Sequence, residues 1–465
     1  MTLSRRQFGF AAFTAIAFAG FSRWAHAQET YVNEVPGYGP LKADPAGLFD
    51  LPEGFSYQVV SRTGEVMDDG FHAPGNFDGM GCFPAGDGKV ALVRNHELTL
   101  NAAGWSRSAA LGDAALQERL GKGLHFGHDP EGRPVPGGTS TLIVDLQTGR
   151  RETAFLSLTG TSTNCAGGAT PWGSWLTCEE AVVKAPESSE SHGWVFEVPS
   201  AHRGLVTPVP LKAMGRYRHE AAAVDPGTGI VYLTEDREDG LLYRFLPDRK
   251  GELAKGGRLQ ALAFADSGLP SDSRNWSGLD FPARTARPVR WIDMDGTDSS
   301  EDDLRQRGNA RGAVRFARGE GIHLAAGADG RTAVYVTCTS GGPRKLGQVM
   351  RYVLSPAEGT GDEAAQPGLL EIFVESSDSR IFEYGDNLTV SPQGHLIVCE
   401  DRATSERNHL RGVDPSGKIY TLARLNMDTE LAGACFSPDG EELFVNAYHP
   451  GVTFMIRGPW AQFRA

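Results

Sequence analysis

Four residues of this 465-residue chain have the clearest capacity for chemistry: Cys165, Glu220, Glu320 and Asp386. Carboxylates suit hard cations such as Ca2+. A thiolate among them selects a softer or transition metal, iron or zinc before calcium. Further acids stand in short runs: Glu97 in "RNHE" (94–97), Glu179 and Glu180 in "TCEE" (177–180), Glu235 and Asp236 in "TEDR" (234–237), and Glu400 and Asp401 in "CEDR" (399–402). These would hold calcium. Acids packed this closely either raise one another's pKa or take up cations. Arg318 is two residues before Glu320, so an extended backbone puts both side chains on one face. A guanidinium beside metal ions is a recipe for gripping phosphate, which makes Arg318 the expected phosphate ligand, with Asn95 as a further contact. Arg218, Arg237 and Arg402 also flank acids, where salt bridging is the competing role.

A repeated hairpin is the element that could bring residues so distant in sequence together. In "HEAAAVDPGTGIVYLTED" (219–236) a polar residue opens an apolar strand, a Pro/Gly turn follows, and a second apolar strand ends in acids. The turn proline, Pro226, is six residues after Glu220. The same offset recurs at Asp78/Pro84, Cys165/Pro171, Asp386/Pro392 and Ala432/Pro438, and at Glu320 with small Ala326. Short apolar runs between turn residues are strands. Six such units with little helix predict an all-β fold, a six-bladed β-propeller with small helical and loop insertions. The innermost strand of each blade lines the central channel. The equivalent positions Asp78, Cys165, Glu220, Glu320, Asp386 and Ala432 would then form a ring at one mouth, with the acids ending the second strands as an outer tier. The competing reading scatters these acids over solvated strand ends.

The first 27 residues read as a targeting segment: paired Arg5 and Arg6, the apolar run 9–21, and "AHA" at 25–27. Twin arginines predict the twin-arginine translocation machinery as a partner, a periplasmic or secreted destination, and a cofactor inserted before export. The apolar run is too short for a membrane anchor. Without this segment the formal charge moves from −13 to −16, because only Arg5, Arg6 and Arg23 leave. Such a chain should not bind nucleic acid or anionic membrane in general. Residues 28–53 are expected to be an arm and 54–465 a single domain, monomeric, with 54–60 pairing with the C-terminal strand. An insertion at 101–137 carries one short helix at 111–120. The charge run at 293–303 lacks the glycine and glutamate spacing of an EF-hand and reads as a solvated loop. Of the six cysteines none forms a CxxC pair, and Cys82, Cys338 and Cys435 read as packed structural thiols. There is no P-loop, HExxH or nucleophile elbow. His96, His219 and His449 read as hydrogen-bonded supports rather than ligands.

The leader, "RNHE" (94–97), "TNCAGGATPWGSWLTCEE" (163–180), "GRYRHEAAAVDP" (215–226), "RGE" (318–320) and "FVNAYHPG" (444–451) together resemble the PhoX family of alkaline phosphatases. The resemblance covers most of the chain after the leader. It implies an exported six-bladed propeller that hydrolyses small phosphate monoesters with a mixed cluster of Fe3+ and Ca2+ and an oxide bridging the irons. It further implies that Cys165, Glu220, Glu320 and Asp386 bind iron and Arg318 binds phosphate. The chain departs from the family pattern at Arg94, where hydrophobic residues usually precede "NHE", and at Gly319. Two other functions use similar architecture: a calcium-dependent propeller esterase or lactonase of the gluconolactonase type, and a non-catalytic binding propeller with structural calcium.

Overall fold

The computed structural model describes residues 31–102, 118–121, 123–402 and 407–465. The leader and most of the expected helix at 111–120 lie outside these residues. Six antiparallel hairpins organise the rest: β1 (Phe77–Pro84) with β2 (Lys89–His96), β3 (Asn164–Ala169) with β4 (Ser174–Glu179), β5 (His219–Val224) with β6 (Val231–Glu235), β7 (Gly319–Ala326) with β8 (Thr332–Cys338), β9 (Gly385–Val390) with β10 (Leu396–Glu400), and β11 (Leu431–Phe436) with β12 (Glu442–Ala447).

The β5–β6 hairpin shows why the sequence folds this way. Its turn is fixed by Asp225, whose carboxylate accepts the backbone N–H of Gly227 (3.1 Å) and Thr228 (3.0 Å) and the Thr228 hydroxyl (2.6 Å), so the acid closes the turn locally. Alternation then sorts the side chains. Val231 and Leu233 pack with Leu176, Val195 and Tyr243 on one face, and Tyr232 packs with Leu242, Leu262 and Val336 on the other. Both faces are covered by neighbouring sheets, which is why the strand reads as nearly continuous apolar sequence. Each such side chain withdrawn from water contributes about 1.5–3 kcal/mol.

The odd-numbered strands follow one another around an axis and close on themselves: β1 lies beside β3, β3 beside β5, β5 beside β7, β7 beside β9, β9 beside β11, and β11 beside β1. Glycine permits this crowding. A Cβ on Gly79 would stand 2.5 Å from the Ala166 Cα, and one on Gly321 2.6 Å from the Asp386 carbonyl oxygen. The fold is therefore all-β and propeller-like. Its sheets do not divide into six separate blades, however. Arg287 and Pro288 pair with Leu370 and Leu369, joining the β5–β6 and β7–β8 groups into one ten-stranded sheet. Ser56–Arg62 pairs with Val452–Arg457, so the beginning and end of the chain complete one sheet together. The expected arm contributes two short strands, Leu41–Lys42 and Phe49–Pro52, and Phe49 pairs with Leu425 on the sheet of β9–β10.

The polar stretch 267–312 carries strand Arg287–Asp293 and a short helix, Leu304–Ala310. The charge run within it folds back on the hairpins. Asp302 bonds Arg237 (2.6 Å) and Arg305 (2.8 Å), while Arg216 donates to the Ser300 carbonyl (2.9 Å).

Candidate metal centre

Each inner strand places its second residue at the same depth: Asp78, Cys165, Glu220, Glu320, Asp386 and Ala432. In five of them the ring residue lies in a bulge, where two residues of the inner strand oppose one on its partner; in β11 the bulge comes one residue later, after Ala432 has paired with Asn446. Phe77 faces His96 and Met80 faces Arg94, for example, and His219 faces Glu235 while Ala222 faces Leu233. Bulges re-aim side chains and are favoured at barrel rims. Here the repeated bulge explains why the residues just after the strand openings share one mouth.

A second repeat ties the rim. The residue following each even-numbered strand donates its N–H to the carbonyl two residues before the ring position. These bonds are Glu97 to Asn76 (3.0 Å), Glu180 to Thr163 (2.8 Å), Asp236 to Arg218 (3.3 Å), Thr339 to Arg318 (3.1 Å), Asp401 to Tyr384 (2.9 Å) and Tyr448 to Glu430 (3.2 Å). Asn76, Thr163, Arg318 and Tyr384 adopt left-handed backbone, with φ of 49°, 52°, 57° and 45°. Non-glycine residues held there carry about 1–3 kcal/mol of strain each and cluster at functional sites.

Two groups of metal-competent side chains result. Glu97, Cys165 and Glu180 offer atoms that all lie within 4.8 Å of one another, as do Glu220, Glu320 and Asp386. The Cys165 thiol joins the groups, donating to Glu220 Oε1 (3.2 Å) and Asp78 Oδ2 (3.5 Å). Burial, reinforced by neighbouring carboxylates, drives Asp78, Glu180, Glu220 and Glu320 well above the usual carboxylate range. Glu97 and Asp386 are each pushed up to about 7, with burial again the main cause. Burial and the surrounding acids also push the Cys165 thiol up. Glu220 Oε2 and Asp78 Oδ1 are buried without a hydrogen-bond partner. A cation would remove both costs, neutralising the carboxylates and supplying partners for the orphaned oxygens. The donor set, one sulfur among many oxygens, fits a transition metal together with harder cations.

Two arginines bound the groups. Arg318 donates from Nε to Asp236 Oδ1 (2.8 Å) and from Nη2 to Asp236 Oδ2 (3.0 Å), and pairs with Glu320 Oε1 (2.7 Å). Arg218 donates from Nε to the Glu180 carbonyl (3.0 Å) and pairs with the Glu180 carboxylate.

Several expected ligands point elsewhere. Glu179 accepts the N–H groups of Ser162 (2.9 Å), Gly193 (2.8 Å) and Trp194 (3.1 Å) and contacts His192 Nδ1 (2.6 Å). Glu235 takes the Tyr243 hydroxyl (2.9 Å) and the Leu241 N–H (3.2 Å). Glu400 is bound by Arg411 (2.6 Å) and His409 (2.8 Å). Each is the last strand residue, so alternation turns it between sheets, while the next residue, Glu180, Asp236 or Asp401, reaches the mouth. Asn95 does not face the mouth as a phosphate contact either. Its Nδ2 donates to the carbonyls of Cys165 (2.9 Å) and Ala166 (2.8 Å), and its Oδ1 accepts from Trp175 Nε1 (2.9 Å). That fully buried amide fastens the backbone of the thiol strand and has no donor left for a phosphate. His96 bonds the Gly75 carbonyl (3.0 Å) and Ser140 (2.8 Å), and His219 bonds the Gly215 carbonyl (2.9 Å), which makes both supports. The departure at Arg94 is accommodated by stacking its guanidinium 3.3 Å over the Phe77 ring and bonding Thr453 (2.8 Å).

Sequence reasoning missed two rim residues. Glu430 interacts with Asp401 and Asp78 and is held well above the carboxylate range, mainly by burial. The Tyr448 hydroxyl donates to Glu97 and accepts from Asn76 Nδ2 (2.7 Å). The signal was available: Glu430 stands two before Ala432, as Arg318 stands two before Glu320, and Tyr448 follows Ala447 as Asp236 follows Glu235. A cavity of about 520 Å3 runs along the inner strands beyond the ring, lined by small residues such as Gly81, Gly167, Gly168 and Ala169 and by none of the ring acids.

The chain matches the family model described as alkaline phosphatase PhoX over residues 36–451. A search of curated proteins found no match. Among solved structures, PhoX of Pseudomonas fluorescens in complex with vanadate, a transition state analogue, superposes with a TM-score of 0.66 at 19% identity, covering 92% of this chain and 97% of that one. A gluconolactonase from Xanthomonas campestris aligns with a TM-score of 0.41 at 12% identity, over 92% of this chain and 100% of the other.

Proposed function

This chain belongs to the PhoX family of alkaline phosphatases, and from that premise we propose how its ring of acids serves a phosphomonoesterase. It is a metal-dependent phosphoric monoester hydrolase acting on small phosphoesters, and family membership decides against the lactonase and purely binding readings. The chain is a six-bladed propeller, a count supported by six equivalent hairpins with six equivalent rim bonds. Cys165, Glu220, Glu320 and Asp386 would hold Fe3+, and Glu97, Glu180, Asp236, Asp401 and Glu430 would hold Ca2+.

One observation carries this assignment: a thiol and acids from neighbouring strands converge while Glu220 Oε2 stays buried without a partner. When bound, the cations neutralise the charge of the phosphoryl group and activate an oxygen nucleophile. Arg318 orients that group through Nη1, the nitrogen that its bonds to Asp236 and Glu320 leave over, and those bonds hold the guanidinium still beforehand. The rim bonds and buried Asn95 hold the ligand strands in register, so the acids need no rearrangement when substrate arrives. Cleavage releases an alcohol, and no serine nucleophile is required. Export by the twin-arginine route as a monomer, to the periplasm or the medium, completes the reading; among the described residues no helix is long and apolar enough to cross a membrane. The test is chelator treatment with elemental analysis before and after. Loss of p-nitrophenyl phosphate hydrolysis together with loss of iron and calcium is expected; hydrolysis that survives complete metal removal would overturn the assignment.

A further inference from the structure

We propose that Arg218 is a second anion-binding residue of the mouth, and that the enzyme prefers phosphomonoesters whose alcohol portion carries its own anionic group, a carboxylate or a second phosphate. The inference rests on the phosphatase reading above and adds a substrate class to it.

The observation is an internal repeat. Arg218–His219–Glu220 and Arg318–Gly319–Glu320 occupy matching positions on β5 and β7, which lie side by side. Both arginines precede their ring acid by two residues. Both carbonyls accept the N–H of the residue following their own hairpin, Asp236 for Arg218 and Thr339 for Arg318. Both guanidiniums reach back to the acid that follows the preceding hairpin: Arg318 to Asp236 and Arg218 to Glu180. Their exposure is the same, 32% for Arg218 and 34% for Arg318. The two guanidiniums therefore meet the same rim one hairpin apart, Arg318 from a left-handed backbone (φ 57°) that Arg218 does not share. Glu180, paired with Arg218, and Asp236, paired with Arg318, are neighbours at the rim. A phosphoryl group gripped at Arg318 leaves Arg218, paired with Glu180 on the neighbouring hairpin, for a different anion on the same substrate. In a mouth so rich in carboxylates, a second exposed guanidinium is the complement of a second negative charge.

The test compares two non-hydrolysable phosphonates by calorimetry on the metal-loaded enzyme: 3-phosphonopropionate, which carries a carboxylate, and n-propylphosphonate, which does not. The wild-type protein should bind the first about tenfold more tightly, the worth of one charge-assisted hydrogen bond. Arg218→Gln should abolish the preference while leaving n-propylphosphonate affinity within about twofold, and Arg218→Lys, which keeps the charge, should retain part of it. Equal affinities in the wild-type protein overturn the proposal without any variant being needed. An equal loss for both ligands in Arg218→Gln, with metal content intact, also overturns it by placing Arg218 on the phosphoryl group itself. If neither phosphonate binds and p-nitrophenyl phosphate is not hydrolysed, it is the underlying phosphatase reading that has failed.

Discussion

Replacing Asn95 by alanine separates a phosphate contact from a structural tie. The side chain makes three buried hydrogen bonds, to the carbonyls of Cys165 and Ala166 and from Trp175 Nε1. Truncation orphans all three partners. At about 1–3 kcal/mol for each unsatisfied buried group, less what relaxation recovers, the loss is about 3–5 kcal/mol. Unfolding entropy of about 2.1 cal/mol/K per residue gives a chain of this length roughly 1 kcal/mol/K, so Tm should fall by about 3–5 °C. The Cys165 strand loses two of its anchors, so bound transition metal should fall in parallel. Differential scanning calorimetry and elemental analysis of the same preparation read both quantities, and steady-state kinetics on p-nitrophenyl phosphate supply the third. A raised KM with unchanged Tm and metal content would refute the reasoning and return Asn95 to the substrate.

Cys165→Ser should remove the transition metal and any visible absorption it gives, lowering kcat at least 100-fold while calcium stays bound, as read by absorption spectra and elemental analysis. Glu179→Gln and Glu180→Gln should behave oppositely despite being neighbours: the first lowers Tm by several degrees with metal retained, the second costs metal and activity with little change in Tm. The metal-stripped protein should lose stability as pH rises. Glu97 and Asp386, whose folded pKa values are raised to about 7, favour the protonated folded state; their contribution is full below about pH 4 and is lost between about pH 4 and 7, on the order of 3 kcal/mol each. Thermal melts of stripped protein should therefore fall across that window, and added calcium should flatten the profile.

Much of the centre was legible because a hairpin repeat is a local pattern. The six-residue offset between ring position and turn residue survives in the sequence whatever lies between the hairpins, and it selected Asp78, Cys165, Glu220, Glu320, Asp386 and Ala432 as equivalents. Acid runs after the second strands were equally visible, but the sequence does not say which acid of each pair faces the mouth. Glu179 and Glu180 are chemically alike. Only the end of strand pairing, which falls between them, turns one toward backbone N–H groups and His192 and the other toward Cys165.

The sequence by itself determined the all-β class, the repeat and the donor types, since strand periodicity, turn chemistry and the preference of sulfur or oxygen for a given cation are properties of residues and their spacing. The tertiary structure decided what required knowing neighbours across the ring: that Asn95 is spent on the thiol strand, that Glu430 and Tyr448 join the rim, and that two arginines meet it one hairpin apart. It also decided that sheets merge where Arg287 meets Leu370. The physical reason is that backbone pairing and side-chain direction around a closed ring are fixed by contacts between segments up to several hundred residues apart, and no local pattern encodes which of two adjacent carboxylates such a contact will claim.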